Sequence, residues 1–533
     1  MTAQPPRPLA RHITAGSMAC AAAISIFLLN GCNVGPRYVA PAIPAPPAFK
    51  ESSPAAYSSA PPGAWQPAQP QDAVLKGKWW EMFNEPELNA LEEQLNINNQ
   101  NIAQYFQNFM AARAQVSEAR AGFFPTVTVA PSITKAGVGS AAAGGSGLAS
   151  GGTSGTTGVS TTSVSTPSPG GTITDFSLPF DVSWEPDLWG RVRNTVREYQ
   201  FAAQVSAADL ENERLTEQAD LAEYFFELRG QDALQDLYNR TVEADRQSLE
   251  LTRALFETGI DNLEAVAQAE VTLENAEAAG IGIATNRALY EHAIATLIGK
   301  PASLFSMPLK MLTTPVPAIP VGVPSQLLQR RPDIAAAERT MAQANAIIGV
   351  EKAAYYPTLS LTGSGGVQSS NIAKLFSIPA LVWSLGASAS ETIFDAGLRK
   401  ATMAQYTAMY NADDAAYKQT VLTAFQQVED YIATLRVLSE QIARQDAAVE
   451  AAQRYLQIAT ARYQTGLDPY LDVMSAQLIL LGDQQTEMTL RVSEMTAAVQ
   501  LIQALGGGWD GAELPTASQV TSKEASRQVA NNP

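Results

Sequence analysis

Phe123-Phe124-Pro125-Thr126 recurs as Tyr355-Tyr356-Pro357-Thr358, and this doubled stretch decides how the 533-residue chain is read. The residues from Gly190 to Gly299 realign on Gly397 to Gly506 at one constant offset. Leu221, Tyr224, Phe225 and Leu228 fall on Val428, Tyr431, Ile432 and Leu435. Phe256-Glu257-Thr258-Gly259 falls on Tyr463-Gln464-Thr465-Gly466, and Asp261 on Asp468. A register that holds for about a hundred residues without a gap marks a duplicated structural unit. The first repeat is assigned to residues 88–301 and the second to 325–509, joined by a linker at 302–324.

After each aromatic-aromatic-Pro-Thr element the apolar period changes from helical to two. In the first copy Val127 and Val129 alternate with threonines, and Phe176, Leu178, Phe180, Val182 and Trp184 alternate with Ser177, Pro179, Asp181 and Ser183. Leu359 and Leu361, then Leu381, Trp383, Leu385, Ala387 and Ala389, repeat the pattern in the second. Each copy therefore contributes a pair of amphipathic strands, within 123–184 and within 355–394. The first pair is joined by a long Gly/Ser/Thr run from Lys135 to Gly171, suited to an exposed, membrane-distal loop. A helix precedes each pair, from Leu88 to Ala121 and from Ser325 to Ala354. Beyond the strands come proline-free stretches rich in Ala, Glu, Gln and Leu, read as antiparallel helical hairpins that turn at Gly259 and Gly466. At 1.5 Å per residue each arm extends roughly 100 Å. Val421, Phe425, Val428, Ile432 and Leu435 step by four and three, the spacing of helices that supercoil on their neighbours.

At the N-terminus Arg7 and Arg11 precede an apolar run from Met18 to Leu29, then Leu29-Asn30-Gly31-Cys32. A basic start and roughly a dozen apolar residues describe a secretory signal peptide over residues 1–31, too short to span a bilayer as a mature helix. Its removal takes the formal charge from −17 to −19 and leaves Cys32 as the one cysteine, so no intrachain disulfide is possible. The acidic balance argues against nucleic acid as a partner and fits either simple solubility or an acidic lumen. Residues 32–87, Pro- and Ala-rich at first, read as an extended segment, and the polar residues 510–533 as a disordered tail.

Four strands with one apolar face leave unpaired backbone groups along both edges of an open sheet. In lipid each such group costs several kcal/mol, so spanning sheets must close. Four strands are too few to close alone, which makes the chain an obligate oligomer sharing one barrel. Roughly ten residues per strand match a tilted membrane strand.

The chain resembles the TolC-like outer-membrane factors, in particular the lipoprotein (NodT-type) branch that serves resistance-nodulation-division efflux pumps. The resemblance is carried by Cys32-Asn33-Val34-Gly35-Pro36-Arg37-Tyr38 with Pro41, Trp79-Trp80, Arg330-Arg331-Pro332-Asp333-Ile334, the two glycine-turn motifs, and Leu505-Gly506-Gly507-Gly508-Trp509. It covers about Cys32 to Trp509. It implies a mixed α/β membrane protein: a homotrimer whose twelve strands form one transmembrane β-barrel, continuous with a long periplasmic α-helical barrel. That trimer would be an outer-membrane duct docking on a periplasmic adaptor (membrane fusion protein) and an inner-membrane pump, and passing its cargo unchanged. Cys32 resembles the lipobox cysteine, with Asn30 departing from the usual residue; the resemblance implies N-palmitoyl and S-diacylglycerol groups on Cys32 and no other cofactor. The closed tip of the family implies gate roles for Tyr463, Asp468, Asp472 and Ser475. Asp468 stands where TolC has an arginine, and Ser475 where the family has a second aspartate. A carboxylate ring with helix packing is the gate expected instead; such a ring is repulsive, so at least one carboxylate is expected to have a raised pKa or to bind a cation. Phe256, Gly259, Asp261, Gly466 and Leu467 resemble the adaptor-contacting tips. Arg330, Arg331 and Asp333 are read as structural, Asp333 as a helix cap.

Three rival functions remain. An enzyme is disfavoured by the inventory, which has His12 and His292 as its only histidines and no phosphate-cradling Gly-rich loop with lysine. A periplasmic adaptor lipoprotein has no use for the duplicated strand pairs. A type I protein-secretion channel would keep the fold and change the cargo.

Overall fold

A computed structural model describes residues 32–41, 45–46, 49–51, 77–137, 172–312, 314–319 and 329–521. The signal segment 1–31, positions 138–171 of the Gly/Ser/Thr loop and the final residues 522–533 lie outside the described residues. The helices are α1 (Pro86–Asn98), α2 (Gln100–Ala121), α3 (Arg191–Glu257), α4 (Leu263–Leu297), α5 (Pro332–Ala353), α6 (Leu398–Gln464), α7 (Tyr470–Ala504) and α8 (Ala517–Thr521). The strands are β1 (Thr126–Val129), β2 (Ser132–Gly137), β3 (Thr172–Trp184), β4 (Thr358–Ser369) and β5 (Leu381–Ser390). The duplication holds to the residue in length: α3 and α6 have 67 residues each, α4 and α7 have 35. No described helix is long and apolar enough to cross a membrane.

The chain divides into two compact units. The first, Met1–Pro36, Glu118–Val196 and Ala346–Gln405, contains the sheet. Its antiparallel order is β1-β3-β4-β5, with β2 also on β3. Val129 pairs with Phe180 and Ser132 with Ser177, so the register is the same on both sides of Ala130-Pro131. The expected first strand is therefore one strand interrupted where Pro131 has no N–H to give the ladder. The sheet separates its chemistry by face. Val127, Val129 and Ile133 lie opposite Val182, Phe180 and Phe176; Leu178 and Trp184 lie opposite Val367 and Leu361; Leu381, Trp383 and Leu385 lie opposite Val367, Gly365 and Gly363. The other face carries Thr126, Thr128, Ser183, Asp181, Ser360, Thr362, Ser364, Ser384 and Ser388. Directly opposed residues share a face, so one side of the sheet is apolar and the other polar. Ile133, Trp383 and Leu385 are more than 70 % exposed on the isolated chain. β5 ends at Ser390, short of the expected 394.

The second unit, Arg37–Ser117, Arg197–Asn345 and Tyr406–Pro533, holds most of the hairpins. Its principal core joins Trp79, Phe83, Leu88 and Leu95 to Leu221, Phe225 and Phe226 of α3, Ile294 of α4, and Val499 and Ile502 of α7. Fully burying an aromatic or leucine side chain of this kind contributes about 1.5–3 kcal/mol. The helical hairpins are antiparallel, as Arg246–Glu277 and Arg253–Glu270 show for the first and Arg491–Asp446 for the second.

Four expectations need correction. The helix expected over 88–121 breaks at Asn99, whose Oδ1 accepts the amides of Asn101 and Ile102 at 2.8 and 3.0 Å and so caps a new helix. The extended segment 32–87 ends early, in a turn at Trp79–Phe83 and the start of α1. The polar tail is ordered through Thr521: Thr516 and Gln519 form a reciprocal capping box, Val520 is buried, and Arg113 donates to the Val520 carbonyl at 3.1 Å. Asp333 lies inside the first turn of α5 and is not the residue preceding the helix; its Oδ1 accepts the Ile334 amide at 2.8 Å and its carboxylate pairs with Arg331 at 2.6 Å, while Arg331 also donates to the Ala504 carbonyl at the end of α7.

The linker is strapped down by charge. Buried Arg229 bonds Asp232 at 2.9 Å, the Pro308 carbonyl at 2.7 Å and Glu87. Arg287 joins Asp232 at 2.7 Å and the Met307 carbonyl at 2.8 Å, and the Lys310 amide donates to Asp232. Asp232 thus accepts from two arginines and one amide, which offsets the cost of burying its charge.

Candidate functional site

The two hairpin turns fold by the same local rule. Gly259 and Gly466 take φ of +77° and +70°, left-handed values that glycine adopts without penalty. In each turn the residue after the glycine donates to the carbonyl five residues back, Ile260 to Leu255 and Leu467 to Arg462, and the glycine itself donates three residues back. This is the Schellman closure of a helix C-terminus. It brings the expected tip residues together at the ends of α3 and α6.

The two copies then diverge. Arg462, six residues before Asp468, grips it through Nε and Nη2, the latter at 2.9 Å. The guanidinium holds the Asp468 carboxyl below its ordinary range. The first copy has Leu255 where Arg462 stands, so the equivalent Asp261 has no arginine in its own turn. Asp261 is taken instead by the other hairpin: the Tyr463 hydroxyl donates to Asp261 Oδ2 at 2.7 Å, with Thr252 Oγ1 at 3.1 Å. Burial, reinforced by the Asp261 hydrogen bond, pushes the Tyr463 hydroxyl well above the usual phenol range, so it stays a donor. Its ring meets Tyr470 edge-on, centroids 5.5 Å apart, and the Tyr470 hydroxyl lies 3.5 Å from Ser248 Oγ. Around this pair pack Leu249 of α3, Val266 and Ala269 of α4, Ala459 of α6, and Val473 and Ala476 of α7. The alanines let four helices approach closely. Tyr463 is thus a buried clasp between the two hairpins of one chain.

Asp472 is half-buried in the first turn of α7 and Ser475 is exposed. Neither joins the clasp; Asp472 only adds to the field on Arg462. Within the chain Asp468 is ion-paired, and its carboxyl is lowered by Arg462. Phe256 and Leu467 are exposed, and Ile260, Leu263 and Leu471 extend the same apolar tips. Sequence reading missed Arg462, Thr252 and Tyr470. The signal for the first was available: an arginine six residues before one aspartate and a leucine six before its repeat partner. Among the described residues no group of three or more histidine, cysteine or carboxylate side chains could hold a metal ion.

Cys32 belongs to the first unit, exposed and unbridged. Its carbonyl accepts from Arg193 Nη2 at 3.1 Å, Asn33 Oδ1 from Asn194 Nδ2 at 3.0 Å, and the Val34 amide donates to the Trp189 carbonyl. The start of α3 thereby fixes the chain at Cys32. Nearby in sequence, Trp189 stacks on Tyr356 at 4.8 Å, and Trp184 Nε1 donates to the Phe123 carbonyl at 3.0 Å, so aromatic rings gather where the sheet's strands begin and end.

Comparison with known proteins agrees with this geometry. The family described as "Outer membrane efflux protein" matches residues 91–300 and 323–507. The chain is similar to the antibiotic efflux pump outer membrane protein ArpC of Pseudomonas putida, 31 % identical over 91 % of this chain and 95 % of that protein. It is 30 % identical, with the same coverage, to the toluene efflux pump outer membrane protein TtgC, also of Pseudomonas putida. Among solved structures it is similar to the outer-membrane channel OprN, with a TM-score of 0.77 and 27 % identity over 90 % of this chain and all of that one. A repeat of strand pair and hairpin, a sheet with one apolar face, and a match to the family over both repeats lead to one conclusion: this chain belongs to the outer membrane efflux protein family, is a protein of the outer membrane, and has the TolC-like fold.

Proposed function

We propose that three copies of the chain close a twelve-stranded barrel and act as the passive outer-membrane duct of a tripartite efflux system. The observation that carries this reading is the sheet. Its apolar face suits lipid and its polar face suits a water-filled lumen, while the outer edges of β1–β2 and of β5 have no partner strand among the described residues. An edge of that kind is tolerated in a bilayer only when a neighbouring copy completes it. Cys32, fixed beside the aromatic-rich strand ends, is the acylated residue in this reading, and several acyl carbons at about 0.8 kcal/mol per methylene would hold it to the membrane. The clasped tips are the periplasmic gate, and the exposed Phe256, Ile260, Leu263 and Leu467 are the adaptor's contact. Relatives named for antibiotics and toluene favour small toxic molecules over secreted proteins as cargo, carried without covalent change.

The test is extraction and conductance together. A Cys32→Ser variant is expected still to require detergent for release and to give discrete current steps in a planar bilayer. A Cys32→Ser protein released by salt or carbonate, with no current, would refute the barrel.

A further inference from the structure

The clasp is the end of a longer polar seam between the hairpins. Along α3, Asp245, Ser248 and Thr252 follow at steps of three and four, one face of a helix. Thr252 meets Tyr463 and Ser248 meets Tyr470. Asp245, 2 % exposed, continues that row and acts electrostatically on Tyr470, yet it carries no hydrogen bond or ion pair among the described residues. Arginines of α3, α6 and α7 are paired with other acids. Arg246 of its own helix pairs with Glu243 and with Glu277 of α4, Arg253 pairs with Glu270 of α4, Arg462 of α6 with Asp468, and Arg491 of α7 with Asp446 and Glu487. Asp245 lies one turn before Ser248 on the row of α3 that meets Tyr470 of α7, and burial, followed by the Asp245 charge, raises the Tyr470 hydroxyl.

We propose that Asp245 is the proton-sensing residue of the gate: as a neutral carboxyl it packs in the seam and keeps the hairpins clasped, and as an unpaired carboxylate it loosens them. The proposal rests on the reading of the tip as a gate. Burial raises the Asp245 carboxyl from 3.8 to about 6. In the packed seam it is neutral below about 6, whereas in a loosened, hydrated seam it ionises near 3.8. Rising pH therefore favours the loosened form between those two values, and the bias is complete above the upper one. The ratio of clasped to loosened tips falls by on the order of a hundredfold across that window. Asp468 does not supply this, because Arg462 shifts it in the opposite direction.

Single-channel conductance of the detergent-purified oligomer, followed from about pH 4 to about pH 8, tests this with Asp245→Asn and Tyr463→Phe in parallel. Open probability of the unmodified protein is expected to rise with a midpoint near 6, and that of Asp245→Asn to stay low and flat through the same window. Should Asp245→Asn fail to assemble, Asp245→Ser, smaller and equally neutral, replaces it. A flat curve for the unmodified protein, or an unchanged curve in the neutral variants while Tyr463→Phe still raises opening, overturns the role of Asp245 alone. If Tyr463→Phe changes nothing at any pH, the gate reading itself is lost.

Discussion

Removing one oxygen atom from Tyr463 should unfasten the tip. Tyr463→Phe keeps a ring that is 4 % exposed and its edge-on contact with Tyr470, so no cavity opens. It deletes the 2.7 Å hydrogen bond to Asp261 and the contact with Thr252. A hydrogen bond to a carboxylate contributes about 1.5–3 kcal/mol. Asp261 is half-buried, so water replaces part of that, and about 1–2 kcal/mol per chain remains. The ratio of clasped to open tips should fall by a factor of roughly 5 to 30. Open probability in planar bilayers reads the ratio, and a double-mutant cycle with Asp261→Ala isolates the pair. If the bond is the clasp, each single substitution produces most of the opening and the double adds little, with a coupling of about 1–2 kcal/mol. Additive effects, with coupling within about 0.3 kcal/mol of zero, would refute the assignment of Tyr463 to Asp261 as the fastening.

Other expectations follow from the same packing. Arg229→Ala strands Glu87 and weakens the shield around Asp232, and should cost about 3 kcal/mol in a denaturant titration of the detergent-solubilised oligomer; a loss under about 1 kcal/mol would mean the strap holds nothing. Gly506→Ala should yield no folded oligomer, because φ is +94° and the new Cβ would sit 2.0 Å from the Arg330 carbonyl oxygen. Gly282→Ala, with open space around it, is the matched control and should stabilise α4 by about 0.5–1 kcal/mol. The Arg462–Asp468 pair, with its depressed carboxyl, supports the second turn above pH 3.8 and is lost as pH falls through the lowered value. Amide exchange at Leu467 should accelerate there, and Asp468→Asn should abolish that acid dependence.

Much of the architecture was legible because it is periodic. Strand faces follow from alternation, since successive side chains point to opposite sides of the pleat, and the observed register puts Val127, Val182 and Leu385 on the apolar face as the pattern requires. The hairpin turns follow from glycines that alone take a left-handed φ cheaply. Misreadings came where one side chain overrides a trend: Asn99 capping a new helix inside a helical pattern, Pro131 silencing one rung of a strand, and Thr516 with Gln519 nucleating a helix in a polar tail. Cap residues act through a single hydrogen bond, and averaging over a window hides them.

The duplication, the strand faces, the place of each turn and the presence of tyrosine and aspartate at the tip are all readable from the residue order, the last three because they depend on neighbours within a few residues. Which aspartate answers which partner is set by packing. Asp261 and Asp468 are equivalent by repeat, yet one bonds a tyrosine 202 positions away and the other an arginine 6 positions away. The same holds for Asp245, an ordinary acid on a helical face until packing leaves it 2 % exposed. Charge and burial are properties of what packs around a residue, and that is settled only when the two hairpins meet.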